Sequence, residues 1–454
     1  MKGTINHSNK MKKQNKNNKT IKKSRALWEK AQKIVHGGVP LLSKKPERFL
    51  PGQWPAYFKS ASGITVTDLD DNQWIDFSYM GVGPNLLGYA DREVNAAVKK
   101  VIDSGNQSTL NNPEEVELAE ELLRLHPWAD QVRYARTGGE IASMAVRIAR
   151  AHTGKDCVAF CGYHGWHDWY LSSNLAKDKN LDGHLLSGLQ PLGVPRTLRG
   201  TAHPFTFNHI EELEAIVKKH KIGVIAMEPM RHHLPEKDFL KKVRKIADRI
   251  GAVLIFDEIS SGFRLGFPGY HTKSGVTPDI VIYAKAISNG FPMATIIGKR
   301  KIMKEAEASF ISSTYHSERI GPAAALAAIR KMKKVRVTEY VNRIGWKIGD
   351  EWKRLAKKHG LPIVVDGPGA FINFTFKHSD ATTLKALFTQ EMLRHGYLAT
   401  TLIYVSYAHK LSDIPAYAKA VDESFRIIVQ ALQNGDISKQ LQGELPEVGF
   451  ARLT

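Results

Sequence analysis

The 454-residue sequence is poor in cysteine and lacks long apolar runs. Its two cysteines, Cys157 and Cys161, flank a predicted strand end and have no companions for a zinc site or a disulfide framework. We therefore expect structural, buried thiols in a reducing compartment, the cytoplasm. No apolar run approaches the ~20 residues of a membrane-spanning helix, so we expect no membrane-embedded segment.

Acidic residues are missing from the first 24 positions, which contain eight lysines. This leader has neither the apolar core of a signal peptide nor helical periodicity, so we predict that residues 1–24 form a disordered basic tail. The net charge of +20 is therefore partly local. Such a tail could touch RNA or anionic surfaces, but a solvated tail is the default and we expect no nucleic-acid partner. Elsewhere, positive charge favours encounter with an anionic cofactor or substrate.

Helical and strand-like stretches alternate from about residue 85 to residue 330, which predicts an α/β domain with a mostly parallel sheet. We assign residues 81–333 to this large domain and residues 334–454 to a smaller α+β domain. Residues 25–80 form an N-terminal segment that we expect to pack with the smaller domain. The predicted elements include helices at Asp91–Ser104, Glu114–Leu125 and Asn342–His359, a hairpin around Asp70-Asp71-Asn72 and a strand-like stretch at Ala370–Phe376.

Chemically capable residues follow five of the predicted strands. Open α/β sheets bind ligands beyond the carboxyl ends of their strands, so we expect these residues to converge on one crevice. The five junctions are Gln131–Ala135 before Thr137-Gly138-Gly139, Cys157–Phe160 before Gly162-Tyr163-His164-Gly165, Ile222–Met227 before Glu228, Ala252–Phe256 before Asp257, and Asp279–Tyr283 before Lys285.

Asp257 and Lys285 together suggest a pyridoxal phosphate site. A carboxylate can keep the cofactor's ring nitrogen protonated, and a lysine amine can form a Schiff base with the cofactor aldehyde. Taken alone, the pair is weak evidence, because an Asp after a strand is usually a cap or turn former and a Lys there is usually solvated. The neighbouring junctions therefore decide whether the chemical interpretation holds.

The junction Thr137-Gly138-Gly139 is suited to binding a phosphate. Glycines at a strand-to-helix turn let backbone amides approach an anion, and the helix N-terminus adds partial positive charge. A tight turn with Thr137 as N-cap is the alternative. Tyr163 could lie against a heterocycle or be partly buried packing. His164 and His167 lack acidic or cysteine partners at ligand spacing, so we expect no metal site.

These segments resemble, in order and spacing, the class III aminotransferases, and most closely the branch that contains glutamate-1-semialdehyde 2,1-aminomutase. The similarity covers nearly everything after the leader, from Leu27–Val39 to the C-terminal helices. The segments that carry it are Arg136–Arg150, Gly162–Gly165, Glu228–Pro229, Phe256–Arg264 and Ala284–Gly290.

The resemblance implies a fold-type-I pyridoxal phosphate enzyme. It implies a large domain with a mostly parallel seven-stranded sheet between helices, a smaller α+β domain from both chain ends, and a homodimer with interfacial active sites. The residue roles it implies are Lys285 as Schiff-base lysine and proton-shuttling base, Asp257 at the ring nitrogen, Thr137, Gly138 and Gly139 at the phosphate, Tyr163 and Ile259 on the two ring faces, Glu228 beside the cofactor, and Thr314 at the phosphate of the partner subunit.

Departures from the aminomutase pattern fall on substrate-binding positions. The entry segment reads Gly37-Gly-Val-Pro-Leu-Leu-Ser-Lys44, so that Leu41 replaces a serine and Lys44 replaces a carboxylate-binding arginine. Thr401 stands where the pattern has a glutamate. We retain Lys44 as the candidate substrate residue and infer that the catalytic centre is kept while the substrate pocket differs.

We therefore predict an aminotransferase that moves an amino group from a donor such as glutamate to a carbonyl acceptor, a keto-sugar or similar anionic metabolite. Trp166, Trp169 and Tyr170 would suit stacking on such an acceptor, and buried packing is an equal alternative. The competing hypotheses are the aminomutase, which converts glutamate-1-semialdehyde into 5-aminolevulinate, and a non-enzymatic binding module that keeps the fold.

Overall fold

A seven-stranded sheet forms the centre of the computed structural model, which describes residues 19–177, 179–184, 188–230 and 233–447. Its strand order is β4-β10-β9-β8-β7-β5-β6, and every neighbouring pair is parallel except the two that involve β10. The mostly parallel seven-stranded sheet is thus confirmed. The strands of the chain are β1 Phe58–Ser62, β2 Thr65–Asp68, β3 Gln73–Phe77, β4 Gln131–Ala135, β5 Cys157–Cys161, β6 Ala202–Pro204, β7 Ile222–Met227, β8 Val253–Asp257, β9 Ile280–Tyr283, β10 Ala294–Gly298, β11 Ile363–Asp366, β12 Asn373–Phe376 and β13 Tyr397–Ala399.

Helices cover both faces of this sheet. Along β8, Val253 and Ile255 belong to one apolar core, whereas Leu254 and Phe256 belong to the other. Successive side chains of a strand point to opposite faces, so a strand buried on both sides reads as a continuous apolar run. The longer helices are Lys22–Ile34, Arg92–Asp103, Pro113–Leu125, Gly138–Thr153, Ile210–Lys219, Phe239–Ile250, Ile320–Lys334, Val337–His359, Ala381–Arg394 and Ile414–Gln433.

Helix ends agree with the capping signals of the sequence. The helix predicted at Asp91–Ser104 is Arg92–Asp103, and the side chain of Asp91 accepts hydrogen bonds from the first turn, as an N-cap residue does. The helix Gly138–Thr153 stops at Gly154, whose φ of 63° places it in the left-handed region that favours glycine.

The N-terminal segment and the C-terminal part of the chain share a four-stranded sheet, in the order β1-β2-β3-β13. Its hairpin turns between β2 and β3, at the predicted Asp70-Asp71-Asn72, and β3 pairs in parallel with β13 through Ile75 and Tyr397. Strand pairing therefore joins β3 of the N-terminal segment to β13 in the C-terminal part of the chain. The domain boundaries themselves stay a prediction.

Three details differ from expectation. The first helix begins at Lys22, inside the predicted leader, whose residues 1–18 lie outside the described residues. Cys161 is buried but Cys157 is only partly so. The strand predicted at Ala370–Phe376 begins at Asn373 and follows a 3-10 turn at Gly369–Phe371.

The turn at Gly369 is explained by close backbone contact with the helix Val337–His359. A Cβ atom on Gly345 of that helix would lie only 1.7 Å from the Gly369 carbonyl oxygen. The chain can approach the helix this closely only because Gly345 has no side chain, and the strand starts beyond this contact. Within the described ranges, no helix is both long and apolar enough to span a membrane.

Candidate active site

The predicted site residues lie at the carboxyl ends of neighbouring strands. Asp257 is the last residue of β8, and Lys285 follows β9, which pairs with β8 in parallel. Tyr163 and Glu228 follow β5 and β7 on the other side of β8. Thr137 follows β4, which runs in the same direction as β9 because β10 is antiparallel to both. The convergence at one sheet edge is therefore the arrangement that the five junctions predict.

Asp257 is buried and its carboxylate has two protein donors. It is 2% exposed. Its Oδ2 atom lies 2.8 Å from His164 Nδ1, and its Oδ1 atom accepts a hydrogen bond of 3.0 Å from the backbone amide of Ile259. Buried carboxylates need such partners, and these fix its orientation at the strand end. His164, weighed in the sequence only as a metal ligand, is thus a direct contact of Asp257.

Lys285 occupies a strained backbone conformation at the start of the 3-10 turn Lys285–Ser288. Its φ is 50°, a left-handed value that costs an L-residue about 1 kcal/mol. Its Nζ atom donates a hydrogen bond of 2.9 Å to Ser260 Oγ, and Ser260 is itself 7% exposed. Strain of this kind persists where the surrounding structure holds it, and it clusters at functional sites.

Glycines bring the start of the helix Gly138–Thr153 into contact with the other junctions. A Cβ atom on Gly138 would lie 3.2 Å from Ile259 Cδ1 and 3.9 Å from the Cβ atom of Ala284, the neighbour of Lys285. A Cβ atom on Gly165, whose φ is 104°, would lie 2.7 Å from Gly139 Cα. The loop after β5 can therefore approach the helix N-terminus only because both positions lack a side chain.

Thr137 occupies the N-cap position of that helix, as the alternative interpretation proposed. Glu140 Oε2 accepts hydrogen bonds from the amides of Arg136 (3.0 Å) and Thr137 (3.4 Å), and Glu140 Oε1 lies 2.8 Å from His316 Nε2. Burial works against the charge of Glu140, but these partners outweigh it and lower its pKa. The amides of Gly138 and Gly139 lie in the first helical turn, where amides have no acceptor within the helix.

Glu228 fixes the loop that carries Tyr163. It is 3% exposed, and its Oε2 atom accepts a hydrogen bond of 3.1 Å from the Tyr163 amide. Gly162 lets the chain pass this carboxylate, because a Cβ atom there would lie 2.5 Å from the same oxygen. The Tyr163 ring is partly exposed and contacts Tyr170 edge-on, at 6.1 Å between centroids.

Two predicted residues stand apart from this cluster. Thr314 is exposed on the 3-10 turn Thr314–Ser317, and its carbonyl accepts a hydrogen bond from Gln107. Lys44 is exposed on the 3-10 turn Leu42–Lys44.

Arg264 is a site residue that the sequence did not single out, although it lies within the motif Phe256–Arg264. Its guanidinium is buried, and burial lowers its pKa to about 10. Nη1 donates to the Ser260 carbonyl at 3.1 Å, Nη2 donates to the Gly83 carbonyl, and the guanidinium carbon lies 5.9 Å from the Tyr404 ring centroid. The contacts with Gly83 and Tyr404 join chain segments that are far apart in sequence, which explains why local spacing gives no sign of them.

The aminotransferase class-III family matches residues 51–415, which is most of the chain. This chain belongs to the class III aminotransferase family. The match includes all five strand-end junctions described above. It makes the chain an enzyme of a pyridoxal phosphate-dependent family, and the hypothesis of a non-enzymatic module is wrong.

Curated relatives include both transaminases and aminomutases. The 3-aminobutyryl-CoA aminotransferase of Cloacimonas acidaminovorans (strain Evry) is 30% identical over 91% of this chain and 99% of its own length. The 2'-deamino-2'-hydroxyneamine transaminase of Streptomyces kanamyceticus is 31% identical over 77% of this chain and 85% of its own length. A glutamate-1-semialdehyde 2,1-aminomutase of Ignicoccus hospitalis (strain KIN4/I / DSM 18386 / JCM 14125) is 30% identical over 89% and 99%.

Solved structures confirm the fold. The structure of the FumI protein of Sphingopyxis sp. MTA144, determined with pyridoxal phosphate, has a TM-score of 0.82 with this class III enzyme. The superposition covers 91% of this chain and 98% of the FumI chain, and the two sequences are 24% identical. The chain therefore has the fold-type-I architecture of pyridoxal phosphate-dependent transferases.

Pyridoxal 5'-phosphate is the cofactor of the class III enzymes, and the residues present fit it. Ring, phosphate and aldehyde each need a different partner, and the sheet edge offers a buried carboxylate, a side-chain-free helix N-terminus and a lysine amine. A Cβ atom on Gly138 would meet Ile259, so the side-chain-free space at the helix start adjoins the residue predicted to face the ring. Among the described residues, no group of three or more His, Cys, Asp or Glu side chains could hold a metal ion.

Proposed function

We propose that this class III enzyme is an aminotransferase that moves an amino group from a donor such as glutamate to a carbonyl acceptor, a keto-sugar or similar anionic metabolite. The observation that carries the proposal is the position of Asp257 and Lys285 at the ends of adjacent parallel strands, beside the glycine-rich start of a helix. This arrangement suits a cofactor whose ring nitrogen, aldehyde and phosphate are recognised separately.

Each predicted residue then has a physical task. When bound, pyridoxal phosphate supplies an aldehyde that takes up amino groups and a ring that accepts electrons. Asp257, held by His164 and the Ile259 amide, keeps a proton on the ring nitrogen by opposing its positive charge. The Lys285 amine takes a proton from the substrate carbon and returns one to it.

The remaining residues orient the ring and exclude other geometries. The amides of Gly138 and Gly139 bind the phosphate at the helix N-terminus, together with Thr137. Tyr163 and Ile259 confine the two ring faces, and Glu228 holds the Tyr163 loop through the amide of Tyr163. Orientation of this kind lowers the barrier because the reacting atoms are already placed.

Substitutions at the substrate-binding positions of the aminomutase pattern support an aminotransferase over an aminomutase. Leu41, Lys44 and Thr401 replace groups that the aminomutase pattern uses near its substrate, and the exposed Lys44 offers a single charge to an anionic acceptor. A relative named as a 2'-deamino-2'-hydroxyneamine transaminase, which by its name acts on a hydroxylated neamine, supports an acceptor other than a simple keto acid. The relatives named as aminomutases keep the rearrangement as the second candidate.

We also propose a homodimer in which Thr314 approaches the cofactor phosphate of the partner subunit. Large apolar side chains that are exposed in the single chain support it, because contiguous exposed apolar surface marks contact sites and two of these side chains lie together. Phe310 is 88% exposed, Leu110 81%, Trp166 70% and Tyr315 65%. Phe310 and Trp166 also line a cavity of about 640 Å³ beside the helix Gly138–Thr153.

The first experiment is the visible absorption spectrum of the purified protein before and after addition of glutamate, alanine and other donors. We expect a cofactor band that bleaches with one donor and a keto acid product, and we expect both to be lost in Lys285→Ala. A band that no donor bleaches, together with conversion of glutamate-1-semialdehyde to 5-aminolevulinate, would favour the aminomutase. Lack of any band after reconstitution would remove the proposed role of Lys285.

A further inference from the structure

Ser260 places a hydroxyl directly on the reactive amine. Its Oγ atom lies 2.9 Å from Lys285 Nζ, within the normal range for a charge-assisted hydrogen bond. Ser260 is 7% exposed, so water competes poorly for this position. A buried hydroxyl on a reacting nitrogen has a direct consequence for where that nitrogen points.

The backbone around Ser260 is fastened on both sides. Arg264 donates to the Ser260 carbonyl and to the Gly83 carbonyl, so one buried guanidinium ties the turn to the loop near Gly83. Three residues before Ser260, the Asp257 carboxylate accepts a hydrogen bond from the Ile259 amide. The turn thus presents Asp257, Ile259 and Ser260 to the same crevice.

The next residue, Ser261, points into the protein interior. Its hydroxyl donates to the carboxylate of Glu258, which also accepts from the His271 amide at 2.8 Å and lies 3.0 Å from His271 Nδ1. Glu258 and Ser261 are each 1% exposed. Two adjacent serines therefore have opposite environments, one on the reactive amine and one in a buried hydrogen-bond network.

We propose that Ser260 is a further catalytic residue, whose hydroxyl holds the Lys285 amine in place whenever that amine is not bonded to the cofactor. The inference rests on the proposed role of Lys285. With pyridoxal phosphate bound, a donor amine would take the place of the Lys285 amine on the cofactor aldehyde, and the freed Lys285 would have to stay close enough to move a proton and later to take that place again. A lysine has four rotatable side-chain bonds, so an unrestrained amine spends much of its time elsewhere.

The size of the expected effect follows from orientation. Misplacing a reacting group by about 1 Å can cost about a hundredfold in rate. We expect Ser260→Ala to lower the rate of the half-reaction with donor by about 10- to 100-fold and to change the donor's KM by less than about threefold. Ser260→Thr keeps a hydroxyl and should recover part of the rate. Ser261→Ala should lower the melting temperature and leave the half-reaction within about threefold of wild type.

A second measurement separates this proposal from the proposed function. Cofactor-free protein is mixed with pyridoxal phosphate, reduced with borohydride at successive times, and the fraction of covalently labelled Lys285 is determined by peptide mass. Wild type should label Lys285, and Ser260→Ala should label it about tenfold more slowly, with Ser261→Ala matching wild type. If wild type labels Lys285 but Ser260→Ala labels it equally fast, the role of Ser260 is wrong. If wild type does not label Lys285, the proposed function fails instead.

Discussion

The sheet edge around Asp257 and the entry segment around Lys44 differ in how firmly the chain holds them. Asp257 is buried and has two defined donors, whereas Lys44 lies exposed on a short 3-10 turn. Chemistry that all members of a family share needs fixed distances, and parallel strand ends provide them. Substrate choice can change through exposed turn residues without disturbing those distances. The proposed reaction centre is therefore held by defined contacts, whereas the proposed substrate residue lies on an exposed turn.

The largest expected effect on activity comes from changing Asp257, at the sheet edge. Asp257→Asn keeps the shape but removes the charge that opposes the protonated ring nitrogen. We expect kcat for transamination to fall by about a hundredfold or more, because preorganised charge in a buried site is worth that much. The fall in kcat is measured by steady-state kinetics, using the donor that bleaches the cofactor band in the absorption experiment. A loss of less than about threefold, in a protein of unchanged circular dichroism, would contradict the role of Asp257.

The glycine contact at the helix start gives the next largest effect. Gly165→Ala would place a Cβ atom 2.7 Å from Gly139 Cα and push the loop after β5 away from the helix. We expect the affinity for pyridoxal phosphate to fall by about 10- to 100-fold, measured by fluorescence titration of cofactor-free protein. Gly193→Ala is the matched control, since Gly193 has a φ of 79° and no atom within 4 Å of such a Cβ. Equal affinity losses in both variants would show that backbone strain, and not the contact, matters.

A buried ion network behind the reaction centre should affect stability more than catalysis. Burial opposes the charge of Asp279, but a hydrogen bond from the Leu254 amide and ion pairs with Lys299 and Arg244 outweigh it and lower its pKa. The stabilisation is therefore fully present above the unfolded pKa and is lost as pH falls through the lower folded value. We expect Asp279→Asn to reduce the free energy of unfolding by about 2 kcal/mol near neutral pH, and by less in acid.

Denaturant titrations at several pH values measure this loss. The control is Asp422→Asn. Like Asp279, Asp422 pairs with two basic side chains, Lys358 and His359, but Asp422 is more exposed than Asp279. Exposed pairs contribute up to about 1 kcal/mol, so the control should change little. A pH-independent loss in Asp279→Asn would mean that packing, and not charge, provides the stabilisation.

The smallest effect is expected at the entrance. Lys44→Ala should raise KM for an anionic acceptor by less than about tenfold and leave kcat unchanged, because an exposed single charge contributes modestly. Lys45→Ala is the neighbouring control, since Lys45 lies 3.7 Å from Glu447 in an ion pair. Relative to wild type, KM for a neutral acceptor should not change in Lys44→Ala, and Lys45→Ala should change KM for neither acceptor. An unchanged KM for the anionic acceptor in Lys44→Ala would remove Lys44 from the proposed substrate pocket.

The reaction centre was predictable to the extent that it depends on local pattern. Apolar runs followed by Gly138, Asp257 or Lys285 predict strand ends, and strand ends of a parallel sheet meet at one edge. The helix stop at Gly154 and the hairpin near Asp71 also follow from residues close in sequence.

Contacts between distant residues were not predictable in the same way. His164 reaches Asp257 across 93 residues and Arg264 reaches Gly83 across 181, so no local spacing encodes them. The strand near Gly369 starts later than predicted beside a contact of the same kind, because Gly369 packs against Gly345 on a separate helix. Tertiary contact overrides local propensity in such places.

The pairing of β3 with β13 also constrains the order in which the two sheets can fold during translation. Ile75 meets Tyr397, a partner synthesised about 320 residues later, and contacts so distant in sequence form slowly because a long loop must close first. During translation the outer edge of β3 stays open until almost the whole chain has left the ribosome. The four-stranded sheet therefore closes only after β13 is available, and the central sheet, whose strands lie between residues 131 and 298, is free to assemble before it.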